Sequence, residues 1–261
     1  MRALPPLRRT FVARALFRAF APVPESAEGP LDGGGRMKVF MGDWVGFCIH
    51  MRGCYQREVV KALREHLKSG MTFFDVGAHY GQNTVIGSRL VGDQGVVHSF
   101  EPGAHQSSYL DENVRLNALS NVTVHRVAVS NRVGTASFDE HEPADAAGSR
   151  LIQGGNGGRE VPVTTLDAHC EERGIGAIDV LKVDVEEHEL AVFEGARGLL
   201  GKGSPRVIVY ECLNGYGDLR AHDLLASYGY RILALSHRRQ VPVSAPWNCP
   251  YNDFIAIRPA N

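Results

Sequence analysis

The sequence predicts an α/β fold, a mostly parallel sheet with helices on both faces, and three observations predict it. Short apolar runs alternate with stretches of helical period from Met71 to Ile257, the order that crossover helices between parallel strands produce. The first run leads through Asp75-x-Gly77-x-x-x-Gly81 into a helical stretch, which reads as strand, glycine turn, helix. Four runs end in an acid, Asp75, Glu101, Asp184 and Glu211. In a parallel sheet such ends share one edge, the edge at which open sheets bind ligands.

Taken in order, the chain divides into an N-terminal arm and linker over 1–35 and one domain over 36–261. Met1 to Phe20 holds Arg2, Arg8, Arg9, Arg14 and Arg18 and no acid, with Leu4, Leu7, Phe11, Ala15 and Phe20 near helical spacing. The stretch suits peripheral contact with an anionic membrane surface, docking on a partner, a transit-like sequence or a simple arm. Ala21 to Gly35, rich in Pro and Gly, reads as a linker. Met37 to Met51 reads as a strand or hairpin, and Gln56 to Lys68 as an amphipathic helix with Val59, Val60, Leu63 and Leu67 on one stripe.

Met71 to Val76 is then a buried strand, Asn83 to Leu90 a helix, Gly95 to Phe100 a strand and Gln106 to Leu119 a helix. Asn121 to Val129 alternates as a third strand. Thr135 to Asp139 and Glu160 to Thr164 read as strands flanking a polar loop, of a length usual for lids and binding loops. Asp139, Glu140, His141, Glu142 and Asp145 in that region read as a solvated face. Leu166 to Arg173 is a helix, Ile178 to Val183 a buried strand, Glu187 to Leu200 a helix and Pro205 to Tyr210 a strand. Ala221 to Tyr228 is a helix, and Tyr230 to Leu235 and Phe254 to Ile257 are the last strands.

With 44% hydrophobic and 22% charged residues the composition is that of an ordinary globular domain. A formal net charge of −1 gives no bulk attraction to nucleic acid, and no apolar run is long enough to span a bilayer. Cys48, Cys54, Cys170, Cys212 and Cys249 contain no C-x-x-C, so neither a disulfide framework nor a zinc knuckle is implied, and a reducing, cytoplasmic setting fits.

The glycine turn is not a dinucleotide fingerprint. G-x-G-x-x-G presents backbone N–H groups to a pyrophosphate, whereas Asp75 replaces the first glycine here, a poor neighbour for phosphate. Glu101 ends the second strand, where an acid accepts hydrogen bonds from ribose hydroxyls. Glycine turn and ribose acid without a phosphate cradle point to an adenosyl ligand lacking phosphates.

Phe74-Asp75-Val76-Gly77-Ala78-His79-Tyr80-Gly81, His98-Ser99-Phe100-Glu101-Pro102, Val127-Ala128-Val129-Ser130, Val163-Thr164-Thr165-Leu166-Asp167 and above all Ile178-Asp179-Val180-Leu181-Lys182-Val183-Asp184-Val185-Glu186 stand in one order. With them the chain resembles the FkbM family of S-adenosylmethionine-dependent methyltransferases over roughly Tyr55 to Pro259. The resemblance implies a Rossmann-like class I methyltransferase fold whose seven-stranded sheet has its last strand inserted antiparallel. It implies S-adenosyl-L-methionine as cofactor, held by a loop of Asp75, Gly77, Ala78, His79, Gly81 and Asn83, with Glu101 and Pro102 at the ribose. Val127 and Ala128 would lie by the adenine and Asp184 near the methionine end. The family usually has glycine after Asp-Val-Glu, where this chain has Glu187.

Methyl transfer is an in-line displacement that needs positioning and, for an alcohol acceptor, a base. Asp184, His188 and Glu211 are the catalytic candidates, with His79 a second candidate base. No metal is predicted, although Asp184, Glu186, Glu189 and Glu211 offer the oxygen ligands a hard divalent cation takes. The expected activity is O-methylation of a hydroxyl on a sugar, lipid-linked glycan or natural product. The competing readings are a nicotinamide oxidoreductase, against which the missing G-x-G-x-x-G counts, and a non-catalytic binding protein of the same fold. RNA methylation is disfavoured by the neutral charge. Oligomeric state leaves no mark in the sequence.

Overall fold

The computed structural model describes residues 24–141, 148–152, 157–212, 219–236, 240–242 and 252–259. The arm Met1 to Phe20, Glu142, Asp145 and Cys249 lie outside the described residues. Among the described residues no helix is long and apolar enough to cross a membrane.

The supposed linker is partly ordered structure. Strand β1 (Ser26–Pro30) pairs antiparallel with β2 (Arg36–Phe40), from Ser26 opposite Phe40 to Pro30 opposite Arg36. Gly33, Gly34 and Gly35, at φ of 100°, 95° and 96°, make the reversal, so the glycines that suggested a linker belong to a hairpin. The Asn113 side chain clamps β2 from the far side, its Oδ1 accepting from the Lys38 amide at 2.7 Å and its Nδ2 donating to the Lys38 carbonyl at 2.9 Å. The expected strand over Met37 to Met51 gives way at Asp43, which caps helix α1 (Trp44–Arg52) by accepting from Gly46 N at 2.6 Å. Helix α2 (Arg57–His66) follows.

The central sheet contains β3 (Thr72–Val76), β4 (Val96–Phe100), β5 (Val122–His125), β10 (Val180–Val183), β11 (Val207–Glu211), β12 (Arg231–Leu235), β13 (Gln240–Pro242) and β14 (Asp253–Ile257). Their order is β13-β12-β14-β11-β10-β3-β4-β5. From β11 to β5 every neighbour is parallel, and β14 is inserted antiparallel between β11 and β12. Among the described residues the sheet has eight strands where seven were expected, because the short β13 adds antiparallel to β12 at the edge.

Alternation along β3 sends Phe73 and Phe74 to opposite faces. Phe73 packs with Val59 and Leu63 of α2 and Val91 of α3 (Gln82–Val91). Phe74 belongs to the core that also holds Leu166 of α5 (Leu166–Arg173), Phe193 of α6 (Glu189–Glu194), Leu199 of α7 (Arg197–Gly201) and Leu225 of α8 (Arg220–Ser227). Helix α4 (Ala104–Leu116) connects β4 to β5.

Two expected elements divide. The strand read over Asn121 to Val129 breaks at Arg126-Val127, leaving β5 in the central sheet and β6 (Ala128–Val129) in a second one. That second sheet runs β6-β9-β7-β8, with β7 (Gly134–Asp139), β8 (Arg150–Leu151) and β9 (Arg159–Thr164). The helix read over Glu187 to Leu200 is α6 and α7, separated at Gly195-Ala196. The Asp167 carboxylate accepts from Gly198 N and Leu199 N at 2.7 and 2.9 Å and so starts α7 afresh.

Candidate functional site

A cleft holding about 1040 Å³ of empty space, counted out to open solvent, lies over the carboxyl ends of β3, β4, β10 and β11. Its floor depends on Gly77. At φ 74° a side chain is already strained there, and a Cβ would stand 1.8 Å from the Asp184 carbonyl oxygen. Gly77 N and Ala78 N both donate to the Phe100 carbonyl at 3.0 Å, locking the turn to β4.

Glu101 is 6% exposed and held from both sides. Its Oε2 accepts from His79 N at 2.8 Å and its Oε1 from Gly103 N at 2.9 Å. Burial pushes its pKa up to about 7 against the pull of these two amides. Each oxygen keeps a lone pair for a further donor.

Of the residues predicted for the cofactor, Gly77, Ala78, His79, Asn83, Glu101, Pro102, Val127, Ala128 and Asp184 line this cleft. Asp75 and Gly81 do not. Asp75 is fully buried beneath the floor, its Oδ2 accepting from Thr84 Oγ1 at 2.7 Å and its Oδ1 3.6 Å from Lys182 Nζ. The sequence reading of four acids over one crevice is therefore corrected to three, because alternation turns Asp75 toward α3. Gly81 meets Leu110, whose Cδ1 would lie 2.5 Å from an added Cβ, and so serves helix packing.

Lys182 was missed. It pairs in register with Asp75 across β10 and β3, lines the cleft, and donates from Nζ to the Gly77 carbonyl at 2.8 Å. Asp184 stands 3.5 Å away. Burial works to lower its pKa, but the charges of Asp184 and Asp75 outweigh that and raise it. The signal was a lysine inside the apolar run Val180-Leu181-Lys182-Val183.

The three catalytic candidates all line the cleft. Asp184, Glu186 and Glu211 bring carboxylate oxygens within 4.8 Å of one another. Burial first, then Asp184, raises the Glu186 pKa to about 8, and burial with Asp184 and Glu186 drives Glu211 far above the carboxylate range. His188 Nε2 lies 2.8 Å from Ser130 Oγ. Burial lowers its pKa, with Glu194 opposing, so the ring is neutral at neutral pH. Both ring nitrogens of His79 are buried without a hydrogen-bond partner among the described residues, and burial lowers its pKa to about 3.

Glu187 sits at the rim, half exposed and 3.1 Å from Arg150, a cleft-lining residue of β8. It precedes α6 instead of opening it. Glu186 and Glu187 both have positive φ, 52° and 68°, a backbone shape that favours glycine.

The Methyltransferase FkbM domain matches residues 75–232. The hexuronic acid methyltransferase AglP of Haloferax volcanii is 29% identical over 145 residues, 56% of this chain and 58% of that protein. The chain thus matches little more than half the length of that relative. Among solved structures, precorrin-6y C5,15-methyltransferase of Geobacter metallireducens shares 13% identity, covering 80% of this chain and 93% of that one at a TM-score of 0.46. A SAM-dependent O-methyltransferase of Thermotoga maritima shares 14%, covering 94% and 82% at 0.44.

Proposed function

The chain belongs to the FkbM methyltransferase domain family, and from that premise we propose that it methylates a hydroxyl oxygen of a sugar-type acceptor. The cofactor, S-adenosylmethionine, supplies an activated methyl group on a sulfonium when bound. The observation that carries the reading is Glu101, a buried acid anchored by two backbone amides and facing the cleft beside a glycine turn that has Asp75 where a phosphate-binding fingerprint has its first glycine.

The residues fit that cofactor. Glu101 has lone pairs left for the ribose hydroxyls, Val127, Ala128 and Phe138 give an apolar wall for a flat ring, and Asp184 supplies negative charge toward a cationic end. The AglP relative, named for hexuronic acid, supports a sugar acceptor. Glu186 and Glu211, raised in pKa, carry protons near neutrality, so they donate as well as accept hydrogen bonds and suit a polyhydroxylated ligand.

In this reading Asp184 and Glu211 orient the acceptor. Glu211, being protonated, is no base. His188, neutral and lining the cleft, would take the proton of the acceptor hydroxyl. The main contribution of the cleft is to hold the three reacting atoms in line.

The test is transfer from methyl-labelled cofactor to a panel of hexosides, hexuronosides and lipid-linked glycans, analysed by mass spectrometry. Label on a sugar oxygen that Glu101→Ala abolishes is expected. Transfer to protein or RNA with none to any sugar would overturn the acceptor class, and no cofactor binding by calorimetry would overturn the activity.

A further inference from the structure

Behind the cleft, on the far side of Phe100, three histidines from three elements meet: His98 of β4, His125 of β5 and His169 of α5. None is more than 8% exposed, and one ring nitrogen from each lies within 4.8 Å of the others. His98 Nδ1 and His125 Nε2 are 3.0 Å apart, and His169 Nε2 is buried with no hydrogen-bond partner among the described residues. None of the three lines the cleft.

We propose that His98, His125 and His169 bind one divalent transition-metal ion of the zinc class through three imidazole nitrogens. Ligands at Zn–N distances of ~2.0–2.1 Å in a tetrahedral site stand about 3.4 Å apart. His98 Nδ1 and His125 Nε2 stand 3.0 Å apart and the third nitrogen lies within 4.8 Å of them, so small rotations of the rings complete the geometry. Three imidazoles and a fourth position for water form a donor set that suits zinc, and also cobalt, nickel or copper.

The chemistry around the rings agrees. Burial lowers the pKa of all three, to about 4 at His125 and about 3 at His169, and a metal takes neutral imidazole. The rings pack edge-on and stacked against Phe74 and Phe100. Phenylalanine would fill those places without leaving a buried nitrogen unpaired, so packing alone does not account for histidine at His169. Arg173 is the cation whose field reaches all three rings, and it weakens the site without blocking it, since its side chain is 43% exposed. Among the described residues β5 is the edge strand of the sheet. A bound ion would pin that edge strand to α5.

The test uses the full chain, stripped with a chelator and titrated with Zn²⁺ and Co²⁺. One equivalent of Zn²⁺ is expected to bind, and Co²⁺ to give the visible absorption of a nitrogen-rich tetrahedral site. At about a hundredfold excess over Kd the melting temperature should rise by roughly 5–10 °C. His169→Phe, which keeps the ring, should lower affinity at least tenfold while the metal-free protein melts as wild type. Arg173→Gln should tighten binding. If His169→Phe does not fold, His98→Gln gives the same readout. Failure of the wild type to take up either ion, or uptake lost in Glu186→Gln and unaffected at His169, would overturn the proposal, the second outcome moving the ion into the cleft.

Discussion

Lys182 Nζ, at the floor of the cleft, lies 3.6 Å from Asp75 Oδ1, one strand across and beneath that floor. Both side chains are essentially buried, at 5% and 0% exposure, so removing the lysine leaves Asp75 a buried charge without its cation. Lys182→Met should therefore destabilise the fold by about 3–5 kcal/mol, read by urea denaturation. The double variant Asp75→Asn, Lys182→Met should recover part of that loss. Equal stability of single and double variants would show that the two charges do not interact.

Glu101 leads to a pH prediction. Burial holds its pKa at about 7, and ribose hydroxyls donate to the ionised form, so cofactor affinity should fall as pH drops below 7. Glu101→Gln should remove that dependence, and Glu101→Ala should cost about 1.5–3 kcal/mol of binding. Calorimetry between pH 5.5 and 8.5, a range of about three units around the folded pKa, reads both.

The acid-rich end of the cleft sets the pH dependence of stability. Glu186 is raised to about 8 and Glu189 and Asp253 to about 7, burial being the first cause in each, from ordinary values of 4.5, 4.5 and 3.8. The folded state then binds more protons than the unfolded one, and stability falls as pH rises through these folded pKa values. The ligand-free protein should melt higher near pH 6 than near pH 9, a window set by the pKa of about 8 at Glu186. Glu186→Gln should flatten the curve, and a melting temperature that climbs with pH would contradict the burial of these groups.

Glu187 holds φ 68° without being glycine. Glu187→Gly relieves that backbone and Glu187→Ala does not, while both lose the exposed Arg150 pair, worth little on a surface. The glycine variant should be the more stable of the two by about 1 kcal/mol. If Glu187 also selects the acceptor through Arg150, both variants shift kcat/KM for the acceptor with cofactor affinity unchanged.

His188→Ala tests the base. Because burial lowers the His188 pKa from 6.5, the acidic limb of the wild-type rate profile should fall below pH 6.5. The variant should be slower and lack that limb. A limb unchanged in the variant would assign it to another group.

The order of strands and helices was legible because alternating apolar runs and glycine turns are local signals. Glu101 was legible for the same reason, as an acid that ends a strand. The direction of Asp75 was not, since only pairing with β10 and packing on α3 show that its side chain points below the floor. Lys182 was hidden inside an apolar run, where its partners are Asp75, remote in sequence, and Asp184, two residues on. The division of Glu187 to Leu200 into two helices rests on Asp167, a side chain from another element. The hairpin of β1 and β2 was hidden because three glycines in a reversal have the composition of a linker. The histidine cluster joins β4, β5 and α5, and no spacing in the sequence connects those positions.

The acidic wall of Asp184, Glu186 and Glu211 also bears on turnover. A sulfonium carries a positive charge that the thioether product lacks, so the reaction removes one unit of charge from beside these carboxyls. With Glu186 and Glu211 protonated near neutrality, the attraction for a cation comes from Asp184, and it is lost on the neutral product. The spent cofactor should consequently compete poorly with fresh cofactor, and the asymmetry should widen as rising pH ionises Glu186. Product escape is in this sense written into the electrostatics of β10 and β11.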